Sequence, residues 1–289
     1  MSASWTPENL RHAARMVRYG GRPAETVYDS IGDDFFLALA PGWLNLGLWD
    51  GDGSDAAEAS AAPRRLVEKM AADLPQGGVI LDVGNGLGVQ DPVIARIAGP
   101  RGLAALNITF SQLRAGRASL AEAGAWAVNG DATRIPLRAG SIDGLISVEA
   151  AFHFPSRDRF FREAHRVLRP GGVLTMSDIP TNRYPLGPRE GLAALSQLRV
   201  WGLRRQAAAT PGEIAAAAER AGLHDVQVEL AGERVIGPAL RFVRLRLDRA
   251  HAAREMAGSY ELAARIMVSQ VELLWDRRII DYLFLRARR

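Results

Sequence analysis

From residue 78 onward the chain alternates two patterns. Apolar, often β-branched runs closed by glycine or polar residues predict strands at 79–83, 103–108, 125–128, 142–148, 172–177, 225–230 and 279–285. Between them, apolar positions return every three or four residues, the period of a helix buried on one side, at 92–97, 112–123, 157–168 and 211–221. The last helix has a full start signal, with Thr210 as N-cap, Pro211 in the first helical position and Glu213 in the third. The turn Arg169-Pro170-Gly171-Gly172 introduces the fifth strand. Alternating strands and helices predict an α/β fold, a largely parallel sheet with helices on both faces.

Two regions break the alternation. Residues 1–74 hold helix-like stretches and a loop of small residues at 51–63, with an Ala-biased patch at 54–62 read as a mobile turn or a helix start. Residues 183–206 and about 236–276 are helical and rich in Arg, Ala and Leu. The expected organisation is an N-terminal helical lid over 1–74 and a core over 75–289. In it the segments at 183–206 and 236–276 form a cap, either over the ligand edge of the sheet or as peripheral packing.

Composition narrows the class. With 289 residues, 48% hydrophobic and 24% charged, the chain suits a soluble globular protein. No apolar run reaches the roughly 18–20 residues of a membrane span, and the first residues lack the unbroken apolar stretch of a secretory signal. The expectation is a cytoplasmic enzyme without stable membrane insertion. There is no cysteine, which removes disulfides, thiolate metal sites and cysteine nucleophiles. The net charge of +4 rests on arginines interleaved with acids, so no nucleic-acid partner is expected. The histidines have no ligand spacing, and no metal is expected. A homo-oligomer is left open, since apolar helix faces are equally explained by packing of the cap.

The chemistry concentrates at the first strand end, Leu81-Asp82-Val83-Gly84-Asn85-Gly86-Leu87-Gly88. Glycines at a strand-to-helix turn let a ligand approach the backbone, and in a doubly wound sheet this turn lies at the ligand-binding edge. A dinucleotide fingerprint places its third glycine one residue later, where Val89 stands. A glycine pattern preceded by an acid suits S-adenosylmethionine (SAM), whose amino-acid tail Asp82 can meet directly or through water. Asn107, at the second strand end, stands where such folds put a group for the ribose hydroxyls. Asp131, in Asn129-Gly130-Asp131-Ala132, can accept from the adenine amino group. The fourth strand ends in Glu149-Ala150-Ala151-Phe152-His153.

These segments, with Gln90-Asp91, Leu106-Asn107-Ile108-Thr109, Gln112-Leu113 and Arg166-Val167-Leu168-Arg169-Pro170-Gly171-Gly172, resemble class I SAM-dependent methyltransferases. The resemblance is to the small-molecule group that includes sugar O-methyltransferases of the rebeccamycin and erythromycin type and phthiotriol methyltransferase. It includes an N-terminal segment from Tyr28-Asp29 through Asn45-Leu46-Gly47-Leu48-Trp49, and covers roughly residues 25–180 well and the last strand, 281–286, weakly. It implies a Rossmann-like seven-stranded sheet of order 3-2-1-4-5-7-6 with an antiparallel last strand, and S-adenosylhomocysteine as product. It also implies a cofactor site made of Tyr28, Asn45, Trp49, Asp82, Gly84, Asn85, Gly86, Gly88, Gln90, Asn107, Ile108, Gln112, Gly130, Asp131, Ala132 and Glu149. Asn45 departs from relatives that carry histidine there, so no acid–base role transfers to it.

Methyl transfer needs alignment, exclusion of water and, for a hydroxyl, a proton acceptor. Tyr28 and Trp49 are candidates to steady the sulfonium through their ring faces, against ordinary aromatic packing. His153, after the fourth strand, is the candidate base. The resemblance pairs it with Asp178, which would orient the ring. Methylation of a small-molecule hydroxyl in secondary metabolism is the leading expectation. The alternatives are C- or N-methylation of an aromatic, terpenoid, polyketide or lipid acceptor, a SAM-binding protein without transferase activity, and, more weakly, a nicotinamide dehydrogenase.

Overall fold

The structure is a computed structural model that describes residues 38–183, 186–201, 203, 208–254 and 258–289, with backbone alone at 259 and 260. Seven strands make one sheet: β1 (Val79–Val83), β2 (Gly102–Asn107), β3 (Ala125–Asn129), β4 (Ile142–Ser147), β5 (Leu168–Asp178), β6 (His224–Leu230) and β7 (Leu283–Arg288). Their order is β3-β2-β1-β4-β5-β7-β6. The first five are parallel, and β7 runs antiparallel to both β5 and β6. The order reverses between β1 and β4, and there the crossover helices leave to opposite faces. The carboxyl ends of these two strands therefore border a crevice.

The helices form two covering layers and a cap. On one face α1 (Ala56–Ala71) and α2 (Asp91–Ala98) bury Leu66, Val67, Met70 and Ile94 against Ile80 and Ile146. On the other, α5 (Arg157–Val167) and α7 (Pro211–Arg220) bury Phe160, Phe161 and Ile214 against Leu81, Leu145 and Leu174. The short helices α3 (Phe110–Ala115) and α4 (Arg117–Glu122) follow β2. The cap consists of α6 (Pro188–Val200), α8 (Gly232–Ala252) and α9 (Gly258–Asp276).

Several local expectations change. The small-residue stretch at 51–63 enters a long helix: Asp55 accepts a hydrogen bond from the Ala57 N–H at 2.8 Å and starts α1, which continues through Pro63. The single helix expected over 112–123 is two, parted at Gly116. A Cβ there would collide with the Leu87 carbonyl, so the chain must pass against the glycine loop at this point. The last strand begins later than expected. Asp281 accepts from the N–H groups of Gly232 and Tyr282, and this turn precedes the ladder. The capping box of Thr210 and Glu213 forms as its spacing predicts.

Because α1 completes the core beneath the sheet, truncating it should act as a core mutation. Leu66 is fully buried. Leu66→Ala is expected to lower unfolding free energy by about 2–5 kcal/mol, read from urea denaturation. A loss below 0.5 kcal/mol would mean that α1 is peripheral.

Candidate active site

The glycine loop is held from both sides. The Gly84 N–H donates to the Leu106 carbonyl at 2.7 Å, tying β1 to β2 at their carboxyl ends. Gly84 has φ +79°, and a Cβ on it would run into the Ala150 methyl, so no other residue fits this turn. Beneath the loop lies a buried polar cluster. Gln90 Nε2 donates to Asp82 Oδ2 at 2.6 Å, and Asn85 Nδ2 donates to Asp91 Oδ2 at 3.1 Å. The Oδ1 atoms of Asp82 and Asp91 are buried without a donor. Burial raises both carboxyls: Asp91 is pushed up to about 7, and Asp82 is held well above its ordinary range by burial and then by the Asp91 charge.

The cleft above this cluster is lined by thirteen of the expected residues, among them Asn45, Gln90, Asn107, Asp131, Glu149 and His153. Gly84, Asn85, Gly86, Ile108, Gln112, Gly130 and Ala132 complete the set. Ile108 is 41% exposed, which leaves an apolar platform open on the rim. Asn107 Nδ2 reaches Gln112 Oε1 at 3.0 Å and the Gly86 carbonyl at 3.2 Å, while its Oδ1 accepts from the Thr109 N–H. Asp131 Oδ1 accepts from the N–H and hydroxyl of Thr133. Asn45 is engaged by the Pro63 carbonyl and the Gly47 N–H, so it shapes the strap over the cleft rather than offering a free amide.

Four expectations are corrected, and one lies outside view. Asp82 does not line the cleft; it sits behind the loop and positions Gln90, which does. Gly88, at φ +76°, shapes the turn into α2 and likewise stands off the cleft wall. Trp49 is buried in the cap, its ring 5.8 Å from that of Phe242 and its Nε1 donating to the Leu46 carbonyl. Hydrophobic packing with α8 takes it away from the cleft, and Trp43 and Phe154 are aromatic residues that line it instead. Trp43 lies two residues before Asn45 in the same strap, so spacing to the glycine loop rather than aromaticity alone was the missing signal. Asp178 is the fourth. Its carboxylate accepts from Arg157 Nε at 2.6 Å and Nη2 at 2.9 Å and from the Ile179 N–H, a bidentate buried ion pair in place of the expected His153 pairing. Tyr28 lies outside the described residues.

His153 lines the cleft from the 3₁₀ turn Ala151–His153. Burial, and then the Arg157 charge, lower its pKa to about 3, so the imidazole is neutral at physiological pH. Glu149, at φ +47°, closes β4. Its N–H donates to Ser177 Oγ, and its Oε1 accepts from the Leu46 N–H and the Tyr282 hydroxyl, each at 2.9 Å. Desolvation pushes it up to about 7 despite those two donors. Glu149 and Leu44 line the cleft and also a second cavity of about 600 Å³ between the sheet edge and the cap.

Among the described residues no group of three or more His, Asp or Glu could hold a metal, and no helix is long and apolar enough to cross a membrane.

This fold, with a glycine loop at the switch point, has the arrangement of a ligand-binding α/β sheet. Residues 81–176 match the family model described as a methyltransferase domain. The chain is 32% identical over 186 residues to erythromycin 3''-O-methyltransferase of Saccharopolyspora erythraea, covering 62% of this chain and 58% of the relative. It is also 32% identical over 152 residues to 27-O-demethylrifamycin SV methyltransferase of Amycolatopsis mediterranei, covering 50% and 54%. The matched stretch thus spans little more than half the length of these curated relatives. Among solved structures, the cyclopropane synthase MmaA2 of Mycobacterium tuberculosis superposes with a TM-score of 0.75 at 19% identity, covering 93% of this chain and 99% of that one. The [4+2]-cyclase SpnF superposes at 0.66 with 20% identity, covering 94% and 97%. Both show the fold.

Two outcomes test the electrostatics. Asp178→Ala removes a carboxylate that faces a buried guanidinium and is expected to cost about 3–5 kcal/mol of stability, read from urea midpoints. Glu149 holds its proton in the folded chain between its ordinary 4.5 and about 7 while the unfolded chain has released it, so stability falls as pH rises through that window. Glu149→Gln removes this component. Its urea midpoint should decline less from pH 4.5 to 7 than that of the wild type, with the Asp82–Asp91 pair supplying the remainder. Equal slopes would refute the assignment.

Proposed function

We propose that this chain binds SAM in the glycine-loop cleft and methylates a hydroxyl of a small-molecule acceptor of natural-product type, with His153 receiving the hydroxyl proton. One observation carries the reading: the cleft lined by His153 shares a wall, Glu149 and Leu44, with a second cavity under the cap. Donor and acceptor sites side by side are what a group transfer between two bound molecules requires. The names of the erythromycin and rifamycin relatives, both methyltransferases acting at oxygen, support oxygen as the acceptor atom.

When bound, SAM supplies a methyl group on a cationic sulfur and leaves as S-adenosylhomocysteine. The backbone of Gly84 and Gly86, with Gln90 held by Asp82, would receive the amino-acid tail. Asn107 would meet the ribose, and Ile108, Asp131 and Ala132 the adenine. Trp43 and Phe154 offer ring faces for a cation, worth roughly 2 kcal/mol when desolvated. Alignment contributes about 7–11 kcal/mol to such a transfer, more than any base. His153 is a weak base in this environment. A hydroxyl oxygen that has taken a methyl group is a far stronger acid than imidazolium, so a neutral imidazole suffices to accept its proton.

Incubation with methyl-deuterated SAM and hydroxylated macrolide and terpenoid alcohols, followed by mass spectrometry and NMR, should put the label on oxygen. Label on carbon or nitrogen would replace this reading with the corresponding one, and SAM binding without any labelled product would indicate a cyclase-like or regulatory use of the site. His153→Ala should lower kcat/KM by roughly 10²–10⁴-fold; a change within about threefold would remove the base assignment.

A further inference from the structure

The cavity under the cap has an unusual lining. Among the described residues that line it, Glu149 is the only ionisable one. Its other walls are aliphatic and aromatic, drawn from β5's exit (Ile179), α6 (Ala194, Leu198), α8 (Leu240, Val243) and α9 (Val271). Gln197 also lines it, but its amide is engaged by Gln270, the Met267 carbonyl and Trp201 Nε1. Leu195 lines the cavity while 48% exposed, so the mouth is apolar as well.

Protein interiors are packed to crystal-like density, and an apolar void too poor in polar groups to hold ordered water accepts apolar ligands. At about 600 Å³ this cavity falls within the range of roughly 300–1,000 Å³ typical of small-molecule sites. A free sugar or another polyhydroxylated acceptor would lose its hydration here with almost nothing to replace it. Among the described lining residues the polar groups left are the Thr181 hydroxyl and Glu149, the one carboxylate, at the wall shared with the cofactor cleft. Both hydrogen bonds to its carboxylate fall on Oε1, which leaves Oε2 with acceptor capacity.

We propose that the cap cavity binds a bulky, hydrocarbon-rich alcohol whose hydroxyl end lies at the Glu149 wall, where the cavity meets the cleft lined by His153, so that its oxygen faces the methyl donor and its proton faces His153. The inference deepens the reading of the site as a hydroxyl methyltransferase and rests on it. Glu149 is then a positioning residue that decides which end of the molecule meets the cleft. A carboxylate in that place also rejects an acid of the same length.

The test is binding, with the intact chain saturated with S-adenosylhomocysteine at pH 8.5, so that turnover plays no part. The probes are octan-1-ol, decan-1-ol and dodecan-1-ol, read by displacement of Nile red. Affinity should rise roughly three- to fourfold per methylene, and methyl glucoside should not compete. Dodecanoate should bind at least tenfold more weakly than dodecan-1-ol, and in Glu149→Gln this gap should close to less than threefold. Gly191 lines the cavity, and a Cβ there meets nothing within 4 Å. Replacing a glycine inside a helix carries no propensity cost. Gly191→Trp should therefore fill the space, weaken dodecan-1-ol at least twentyfold and leave S-adenosylhomocysteine affinity within twofold.

Chain-length-independent binding, no binding, or a Gly191→Trp protein that still binds dodecan-1-ol would overturn the cavity assignment. An unchanged alcohol–acid gap in Glu149→Gln would overturn the role of Glu149. Alcohols that bind as expected yet are never methylated would count against the hydroxyl-transfer reading and leave the cavity assignment standing.

Discussion

Glu149 ends β4 in a left-handed turn, and its carboxylate accepts from the Leu46 N–H and the Tyr282 hydroxyl while its own N–H reaches Ser177. These contacts join the N-terminal strap, the ends of β4 and β5, and the approach to β7. Positive φ costs about 1–3 kcal/mol for a residue with a side chain and persists only where surroundings hold it. Here the three hydrogen bonds hold it, and the same kink turns the chain toward the 3₁₀ turn that carries His153. The wall between cleft and cavity exists because this carboxylate is fastened there.

The buried charges around the site divide into two kinds. Arg157 and Asp178 form a bidentate pair between the start of α5 and the end of β5, fixing a helix to a strand beside the cleft. Removing Asp178 takes both of these acceptors from the Arg157 guanidinium, a loss that costs more than the net contribution of the pair. Asp82 and Asp91 accept from amide side chains rather than from a cation. Their role is to hold Gln90 and Asn85 under the loop.

The cap adds a second chamber beside the glycine-loop cleft. Trp49 and Phe242 join the strap to α8, and α6 packs on α9. The resulting space is apolar because each cap helix turns aliphatic residues toward it, while arginines lie on the outer surfaces, as in Arg241 and Arg244.

Strand order, the glycine loop and most of the cleft were legible in the sequence, because they depend on local rules: period-two and period-3.6 patterning, a turn only glycine can make, and residues at strand ends that must share one edge. Thirteen expected cleft residues do line it. The misses share one cause, which is that a side chain's partner depends on what the chain brings from far away. Asp178 meets Arg157 and not His153, Asp82 retreats behind Gln90, and Trp49 is drawn into the cap by Phe242. Glu149 read as one more residue near the cofactor. Only the folded chain brings Leu46, from 103 residues upstream, and Tyr282, from 133 downstream, onto one of its oxygens. Sequence alone determined the sheet and the glycine loop at its carboxyl edge. Tertiary packing decided the shape and polarity of the second chamber, because an interior void is defined by the helices that fail to fill it.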